Sequence, residues 1–487
     1  MNYEAVIGLE VHAQLKTKSK MFCACPTIST ADPNTVICPV CTGQPGTLPV
    51  ANKMAVEMAI KTGLSLHSSI QQKSVFARKN YFYPDLPKGY QISQHNLPLC
   101  LGGYLNIPSP LTLSPKGSGE GEGVKRISLI RIHLEEDAGK LFHDFGHQER
   151  SHVDFNRCGV PLIEIVSGPD MRTPEEGGAY LRKLRNILVY LDVCEGNLQE
   201  GNFRCDANIS MRPVGTEKLG TRTELKNLNS FKAVEKALAY EIERQTKLLS
   251  EGKEVMQETL LWNDNTGKTG SMRTKEEAHD YRYFSDPDLL PLIVDNSWIE
   301  NVRKTLPELA DAKAARFVKD YGITEYDAAV LTEDKSLSDY FEIMVRVGTK
   351  PKIAANWILG EFLRILNELK IKVEECKIKP DNFVTLIKAQ ESSAISASMA
   401  KEVLSEIAIS GKPADDIIKA KGFSQISDVD LIEQIVEKVI QSNQKQVGQY
   451  KAGKTALFAF FVGQVMKETK GQANPKIVNE LLKKKLI

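Results

Sequence analysis

The stretch Val124–Met171 constrains the fold more than any other part of the sequence. It contains two apolar runs, each followed by acidic residues and bounded by Gly and Pro, which is typical of strands joined by turns. A hydrophobic core alone does not need so many charges between its strands, so we predict that this stretch lines a site for Mg²⁺ and a phosphate-rich substrate. Its closely spaced polar and charged residues are Arg131, His133, Glu135, Glu136, Asp137, Asp154, Asn156, Arg157 and Glu164.

Two other segments, Val6–Leu15 and Gly201–Arg212, alternate apolar and polar residues. Alternate residues of a strand share a face, so Glu10 and His12 project together from the first segment. A carboxylate beside an imidazole suits a metal or phosphate site, although on this segment alone a solvent-facing strand edge is the simpler interpretation. The polar face of the second segment consists of Arg204, Asp206, Asn208 and Ser210.

Two close cysteine pairs lie in a turn-rich loop near the N-terminus. Cys23 and Cys25 form C-x-C, and Cys38 and Cys41 form C-x-x-C. Four thiolates with such spacing are able to hold one tetrahedral Zn²⁺, although the first pair is one residue tighter than the usual knuckle. The alternative is a loop with four reduced, unliganded cysteines.

Basic and aromatic residues are interleaved in the segment Phe76–Gln94. Cations among aromatic rings suit contact with phosphates and stacking on a base or ribose. A half-buried hairpin with ordinary charges is the alternative. The cations that we consider as nucleotide contacts are Arg78, Lys79 and Lys88, together with the polar face Arg204, Asp206 and Asn208.

The distribution of residue types along the chain indicates where its domains begin and end. All eight histidines lie at or before His279, eight of the nine cysteines lie at or before Cys205, and apolar residues at helical spacing dominate after about residue 295. Gly411 fits a helix stop. We therefore predict an α+β protein, with a mixed strand-and-helix domain over 1–295, a helical domain over 296–410 and a small helical tail domain over 411–487.

The C-terminal end is basic. From Lys438 to Ile487 there are ten Lys and two Glu, which gives a net charge of +8. The formal net charge of the whole chain is +1, so the rest of the chain has a net charge of −7. This asymmetry predicts a polyanionic partner, unless the lysines form a solvated helix face. The segment Gly448–Thr455 matches the P-loop pattern, but no strand pattern precedes it, and that motif requires one. We consider Lys451, Lys454 and Lys470 as contacts to nucleic-acid phosphates or as solvated lysines.

No signal peptide, transit peptide or transmembrane run of about 18 apolar residues is recognisable. The odd number of cysteines fits a reducing compartment better than a disulfide framework. We therefore expect a cytoplasmic protein that does not act in a membrane.

Several long motifs, in order along nearly the whole chain, give it a family resemblance. They include VIGLEVHAQL, RKNYFYPDLPKGYQISQ, HLEEDAGK, VDFNRCGVPLIEIVSGPDMR, RCDANIS and ELKNLNSF. The chain resembles the family formed by the B subunits of bacterial aspartyl/glutamyl-tRNA amidotransferases. Archaeal relatives carry a large inserted domain for which this chain has no room.

The resemblance implies a cradle-shaped α+β domain, a helical domain and a helical tail that contacts tRNA. It implies an enzyme that converts misacylated Glu-tRNA(Gln), and often Asp-tRNA(Asn), to the amide form. In that family, the B subunits use ATP and Mg²⁺ to phosphorylate the carboxylate on the tRNA. Ammonia comes from glutamine through an amidase (glutaminase) subunit, and the heterotrimer is completed by a small third subunit.

By position, the resemblance assigns the metal-binding and catalytic cluster to Glu10, His12, Glu136 and Glu164, with Glu135 interchangeable with Glu136. It implies that Zn²⁺ at Cys23, Cys25, Cys38 and Cys41 is structural. We find no Ser-Ser-Lys amidase signature in the sequence, so ammonia would come from another subunit. Without the resemblance, a non-catalytic, zinc-bearing RNA-binding protein is the competing interpretation, but it gives the clustered glutamates no role.

Overall fold

The computed structural model describes residues 2–28, 31–108, 123–142, 151–274, 281–423, 428–469 and 472–486. The chain divides into two compact units, Met1–Leu309 and Ala310–Ile487. The first unit mixes strands and helices, and the described part of the second is helical. The predicted α+β class is therefore confirmed.

The strands of the first unit are short except for three long ones at the centre of its main sheet. In chain order they are β1 (Tyr3–Gln14), β2 (Ser69–Ile70), β3 (Lys73–Ser74), β4 (Ala77–Asn80), β5 (Tyr90–Ser93), β6 (Cys100–Leu101), β7 (Tyr104–Pro108), β8 (Val124–Glu136), β9 (Lys140–Phe142), β10 (His152–Asp154), β11 (Pro161–Ser167), β12 (Phe203–Pro213), β13 (Thr223–Lys226), β14 (Glu258–Asn263), β15 (Lys268–Thr274), β16 (Phe284–Ser285) and β17 (Leu292–Ile293).

Ten strands form the main sheet, in the order β15-β14-β13-β12-β1-β11-β8-β6-β2, with β7 also pairing with β8. Adjacent strands are antiparallel except for β13 and β14, which are parallel. The central strand β1 places His12 opposite Glu164 of β11 and opposite Arg204 of β12. On the far side of β11, His133 of β8 lies opposite Glu164. This register brings the N-terminal strand and the acidic stretch onto one surface.

Helices cover the apolar face of this sheet. Leu9 and Val11 of β1 are at most 1 % exposed and share a hydrophobic cluster with residues of α2 (Pro174–Tyr190) and α3 (Phe231–Ser250). The hydroxyl of Ser230 accepts the backbone N–H of Ala233 at 3.0 Å and so fixes the start of α3. The helices of this unit are α1 (Lys53–Ser65), α2 (Pro174–Tyr190), α3 (Phe231–Ser250) and α4 (Asn296–Arg303), with a 3₁₀ turn at Phe155–Arg157.

The second unit has two hydrophobic clusters, one between residues 317 and 417 and one between 432 and 486. Gly411 has φ +70° and ends α11 (Ala397–Ser410), as its position in the sequence predicts. Its helices are α5 (Ala310–Tyr321), α6 (Glu325–Glu333), α7 (Lys335–Val347), α8 (Pro351–Trp357), a π-helical turn (Ile358–Phe362), α9 (Leu363–Leu369), a 3₁₀ turn (Val373–Glu375), α10 (Pro380–Glu391), α11 (Ala397–Ser410), α12 (Ala414–Ala420), α13 (Val429–Ser442), α14 (Gln444–Lys451), α15 (Leu457–Glu468) and α16 (Pro475–Leu486).

The segment with the P-loop pattern begins inside a helix. Residues 448–451 belong to α14, and α13 precedes that helix, so no strand leads into the pattern. The geometry that a P-loop needs is therefore missing here, as the sequence predicts. In the described ranges, no helix combines the length and the apolar character needed to cross a membrane.

Candidate active site

A polar cleft of about 580 Å³ lies on the face of the main sheet opposite the hydrophobic cluster. Its floor comes from alternate residues of the strands that surround β1, because side chains two positions apart on a strand share a face. We call it the polar cleft. The charged residues that line it are Glu10, His12, Lys79, Arg131, Glu135, Asp137, Glu164, Arg204, Asp206, Arg222, Glu224, Lys226 and Glu258.

A histidine and two carboxylates meet in the polar cleft, and we call them the histidine–carboxylate cluster. The Nε2 atom of His12 lies 3.4 Å from Oε1 of Glu135 and 3.5 Å from Oε2 of Glu164. One ligand atom from each residue lies within 4.8 Å of the others, which is close enough for all three to hold one metal ion. Two carboxylates that leave positions for water and substrate phosphates are a set that Mg²⁺ commonly uses, and the imidazole of His12 supplies a third ligand atom.

The cluster is electrostatically coupled. Burial alone would lower the pKa of His12, but the carboxylates of Glu164 and Glu135 raise it to about 9. Burial alone would raise the pKa of Glu164, but His12 and His133 hold it well below its ordinary value. Without a metal ion, His12 therefore carries the positive charge that balances these carboxylates at neutral pH.

Neighbouring cations hold the carboxylate of Asp137 beside the cluster. Asp137 accepts hydrogen bonds from Nε2 of Gln14 at 2.8 Å and from the guanidinium of Arg204 at 3.1 Å. Its carboxylate also lies 3.7 Å from Nε of Arg157. Burial opposes ionisation, but Arg204 and Arg157 hold the pKa of Asp137 below its ordinary value. Asp137 therefore fixes the guanidinium of Arg204 at the edge of the cleft.

The other side of the cleft carries a second set of paired groups. Asn208 donates a hydrogen bond to Oε1 of Glu10 at 2.9 Å, and Lys226 donates one to Oδ2 of Asp206 at 2.7 Å. Burial, with the nearby charges of Glu164 and Asp206, raises the pKa of Glu10. A cation added to this cleft would therefore favour the charged form of Glu10.

Lys79 lies at the rim, with its ammonium 4.8 Å from the centre of the Tyr281 ring. Burial alone would lower the pKa of Lys79, but Glu135 raises it, with smaller contributions from Tyr283, Tyr281 and Glu164. Lys79 is therefore a fixed positive charge that faces the histidine–carboxylate cluster.

Some of the predicted residues lie elsewhere. The carboxylate of Glu136 pairs with Lys88 and accepts the backbone N–H of Ile92 at 3.0 Å. Arg78 donates to Asp286 and Asp288, each at 2.8 Å. Glu136, Lys88 and Arg78 line a separate cavity of about 220 Å³, the Lys88 cavity, beside the cysteine loop. The structure thus brings together Glu10, His12, Glu164, Lys79, Arg204, Asp206 and Asn208, with Glu135 rather than Glu136.

Two polar atoms in and beside the cleft have no partner among the described residues. The Nε atom of Arg131 and the Nδ1 atom of His133 are buried, and neither finds a hydrogen-bond partner in the described part of the chain. Arg131 lines the cleft directly. Buried polar groups are normally paired, so an unpaired guanidinium nitrogen in a charged cleft indicates a position for an anionic ligand.

The four cysteines of the N-terminal loop also come together. Their Sγ atoms all lie within 4.8 Å of one another, which suits a tetrahedral ion with metal–sulfur distances of about 2.3 Å. A hydrogen bond with Cys23, the backbone N–H of Cys38 and the ammonium of Lys20 lower the pKa of Cys41 to about 4. Lys20 is fully buried, and its Nζ lies 3.6 Å from that sulfur. The donor set therefore fits Zn²⁺, with the four ligands Cys23, Cys25, Cys38 and Cys41.

The predicted nucleic-acid contacts lie in the second unit. Lys451 is the last residue of α14, Lys454 lies three residues further along the chain, and both are exposed. Lys470 lies outside the described residues. Other lysines of this end pair within the unit, since Lys485 contacts Glu433 and Lys438 contacts Glu468.

Arg222, Glu224 and Lys226 line the cleft but escaped the sequence-based prediction. The four residues of β13 alternate polar outward and buried inward positions, with Leu225 fully buried. Such a short alternation is a weak signal on its own. Its pairing with β12, which carries Asp206 and Asn208, is what gives these side chains a place in the cleft.

Comparison with known proteins decides the family. The model of the GatB/GatE catalytic domain matches residues 5–300, which contain the whole polar cleft, and the model of the GatB domain matches residues 339–486. The chain belongs to the GatB/GatE family. The resemblance drawn from the motifs is thereby confirmed.

Full-length relatives in this GatB/GatE family share one name, which describes each as the B subunit of an aspartyl/glutamyl-tRNA(Asn/Gln) amidotransferase. The protein of Thermodesulfovibrio yellowstonii is 55% identical over 483 residues, covering 99% of both chains. The protein of Caldanaerobacter subterraneus subsp. tengcongensis is 54% identical over 486 residues and that of Geobacter sulfurreducens 52% identical over 489 residues, each covering 100% of both chains.

Proposed function

We propose that this chain is the component of a tRNA-dependent amidotransferase that activates a carboxylate carried on tRNA and converts it to an amide. The observation that carries the proposal is the histidine–carboxylate cluster, held in a polar cleft beside Lys79, Arg131 and Arg204. The full-length relatives named as the B subunit of such an enzyme support it. Glu-tRNA(Gln) and Asp-tRNA(Asn) are the substrates that their name suggests.

In this proposal, His12, Glu135 and Glu164 hold Mg²⁺, and Glu10 lines the same cleft two residues before His12. When bound, Mg²⁺ would neutralise the negative charge of the ATP phosphates and favour phosphoryl transfer. Glu136, which the resemblance places in this set, instead supports the site through its ion pair with Lys88. We therefore assign Glu135 as the ligand from the HLEED motif.

The proposed chemistry needs no protein nucleophile. An oxygen of the tRNA-borne carboxylate attacks the γ-phosphorus of ATP, the bond to the β–γ bridging oxygen breaks, and ADP leaves. Ammonia then attacks the acyl phosphate, loses a proton and displaces inorganic phosphate, which leaves the amide. Lys79, Arg131 and Arg204 are the cations positioned to bind the phosphate oxygens and to hold the carboxylate against them.

The remaining parts of the proposal follow from the sequence and the family. Ammonia comes from glutamine through an amidase (glutaminase) subunit, and a heterotrimer in the cytoplasm is completed by a small third subunit. The four cysteines hold a structural Zn²⁺, since their loop lies outside the polar cleft. The exposed Lys451 and Lys454 contact tRNA phosphates.

This function is tested by measuring amide formation and Mn²⁺ binding for two variants, Glu135→Gln and Glu258→Gln. The chain, co-purified with its amidase and small partner proteins, is supplied with Glu-tRNA(Gln), glutamine, ATP and Mg²⁺, and amide and ADP are measured. Binding of Mn²⁺ as a probe of the metal site is measured separately by electron paramagnetic resonance. We expect Glu135→Gln to abolish amide formation and to weaken Mn²⁺ binding, while tRNA binding stays within about twofold.

Glu258→Gln is a matched control, because Glu258 of β14 lines the same cleft outside the cluster. It should keep both amide formation and Mn²⁺ binding. If the wild-type assembly formed neither amide nor ADP but still bound tRNA, the enzyme assignment would fail. The non-catalytic, zinc-bearing RNA-binding interpretation would then replace it.

A further inference from the structure

A buried histidine, His133, lies beside the histidine–carboxylate cluster and has no role in the proposed chemistry. It belongs to β8 and shares a face of that strand with Arg131 and Glu135, each two positions away. Those two residues line the polar cleft, whereas His133 is not among the residues that line it and is only 2 % exposed. Any effect of His133 on a ligand in the cleft therefore passes through another side chain.

That other side chain is Glu164. The register of the sheet places His133 opposite Glu164 of β11, and the Nε2 atom of His133 lies 3.2 Å from Oε2 of Glu164. The same oxygen lies 3.5 Å from Nε2 of His12. Among the basic side chains of the described residues, these two imidazoles are the ones within 4 Å of the carboxylate. The orientation of Glu164 therefore depends on them.

Metal binding would remove one of these two supports. A neutral imidazole nitrogen that binds a metal ion uses its lone pair and cannot donate a hydrogen bond at the same time. When Nε2 of His12 is a ligand, as the proposed function requires, His133 is the imidazole that still donates to Glu164. A carboxylate has about four lone-pair sites on its two oxygens, so Glu164 is able to accept this N–H and also bind the ion.

The second ring nitrogen of His133 shows that the fold does not need an imidazole here. Its Nδ1 atom is buried and finds no partner among the described residues. Because Nε2 faces a carboxylate, Nε2 carries the proton and Nδ1 keeps an unused lone pair. Buried polar atoms are normally paired, and an apolar ring would fill this position without leaving one unpaired. The hydrogen bond that His133 makes is therefore the one from Nε2 to Glu164.

We propose that His133 is a positioning residue that holds Glu164 in the orientation needed to bind Mg²⁺. The inference rests on the proposed function and adds to it a residue that contacts neither the substrate nor the metal ion. Loss of a group that orients a metal ligand typically weakens metal binding about 10–100-fold. The expected defect is therefore in metal affinity, and a sufficient concentration of Mg²⁺ should correct it.

Three substitutions separate the N–H group from the ring that carries it. His133→Phe keeps a ring and removes both nitrogens. His133→Gln places an amide N–H near the position of Nε2, and His133→Asn places one near the position of Nδ1. His67→Phe is the control, because His67 is exposed, stacks on Tyr104 through its ring and is not among the residues that line the cleft.

The Kd of Mn²⁺ is measured by electron paramagnetic resonance on the full-length chain, co-purified with its amidase and small partner proteins. His133→Phe and His133→Asn should weaken Mn²⁺ binding about tenfold or more. His133→Gln and the control should stay within about threefold of wild type. The Gln variant restores the donor without restoring the ring, so its behaviour distinguishes positioning from packing.

The Mg²⁺ dependence of amide formation gives a second readout. His133→Phe should need about tenfold more Mg²⁺ for half-maximal rate and should approach the wild-type kcat at saturating Mg²⁺. A merely structural defect would lower the maximal rate at every Mg²⁺ concentration, and this result would contradict the proposal.

The remaining outcomes are also decisive. An unchanged Kd of Mn²⁺ in His133→Phe would overturn the proposal, and so would equal weakening in His133→Gln. If urea unfolding shows that His133→Phe does not fold, the Gln and Asn variants make the same comparison with polar side chains. If wild type bound no Mn²⁺, the metal site of the proposed function would fail, whereas in the other outcomes wild type binds Mn²⁺ and only the role of His133 is in question.

Discussion

Replacing either of the two adjacent glutamates, Glu135 and Glu136, by glutamine should have different effects on the protein. Both are 2 % exposed, but they belong to different surroundings. Glu135 lies in the polar cleft beside His12, and Glu136 lies in the Lys88 cavity and pairs with Lys88. We expect Glu136→Gln to reduce stability and Glu135→Gln to reduce metal binding and activity.

The magnitude for Glu136 follows from its contacts. The side chains of Glu136 and Lys88 are 3 % and 8 % exposed, so removing the carboxylate charge leaves a nearly buried ammonium unpaired. Breaking such a pair typically costs about 3–5 kcal/mol. Glutamine keeps the size and still accepts the N–H of Ile92, so we expect a loss of about 2–3 kcal/mol. For Glu135→Gln we expect a smaller loss of stability than for Glu136→Gln, because His12 keeps Glu164 as a partner at 3.5 Å.

Urea unfolding followed by tryptophan fluorescence measures this difference. In a Trp357→Phe background, the two remaining tryptophans, Trp262 and Trp298, lie in the first unit and report on it alone. A Lys88→Met/Glu136→Gln double variant should be more stable than Glu136→Gln, since it removes both charges. If Glu136→Gln were as stable as wild type and lost Mn²⁺ binding as Glu135→Gln does, the reasoning would be refuted. Glu136 would then be the metal ligand.

Three further changes should have measurable effects. Lys20→Met removes the cation beside Cys41 and should weaken zinc retention about tenfold, measured by release to a colorimetric chelator. Unchanged retention would show that the charge of Lys20 does not affect zinc binding. A chain that ends at residue 423 should bind tRNA with a flatter salt dependence, by about 0.7–0.9 in slope per lost phosphate contact; an unchanged slope would contradict a role of the tail. Gly411→Ala should destabilise the second unit by about 1 kcal/mol in urea, reported by Trp357, because φ is +70° there; no loss would mean that the helix end relaxes.

Local patterns predicted the elements of the cleft. The alternation around Glu10 and His12 corresponds to β1. The four cysteines also meet as their spacing predicted. These features follow from contacts within short segments or within one loop, which a sequence records directly.

The composition of the cleft depended on strand pairing, which no short segment encodes. The adjacent glutamates of HLEED point to opposite faces of β8, so one reaches the polar cleft and the other reaches the Lys88 cavity. Only the register of β8 against β11 decides which of the two glutamates faces the polar cleft. The same holds for Arg78, whose cationic character predicted a phosphate contact but whose partners Asp286 and Asp288 lie about two hundred residues away in sequence. Long-range partners of this kind decide whether a charge is available for a ligand.

The position of β1 at the centre of the sheet limits how the length of this protein can change in evolution. This strand pairs with β12 from Tyr3 to Ala13 and with β11 from Glu10 to Gln14, so its register cannot shift without breaking two ladders. Deleting one residue just before Glu10 would turn Glu10 and His12 into the hydrophobic cluster and bring Val11 into the cleft. Insertions and deletions in this strand should therefore remove the site residues from the cleft, whereas surface loops should tolerate changes in length. An alignment of related chains should show the same number of residues in this strand even where the residues themselves differ.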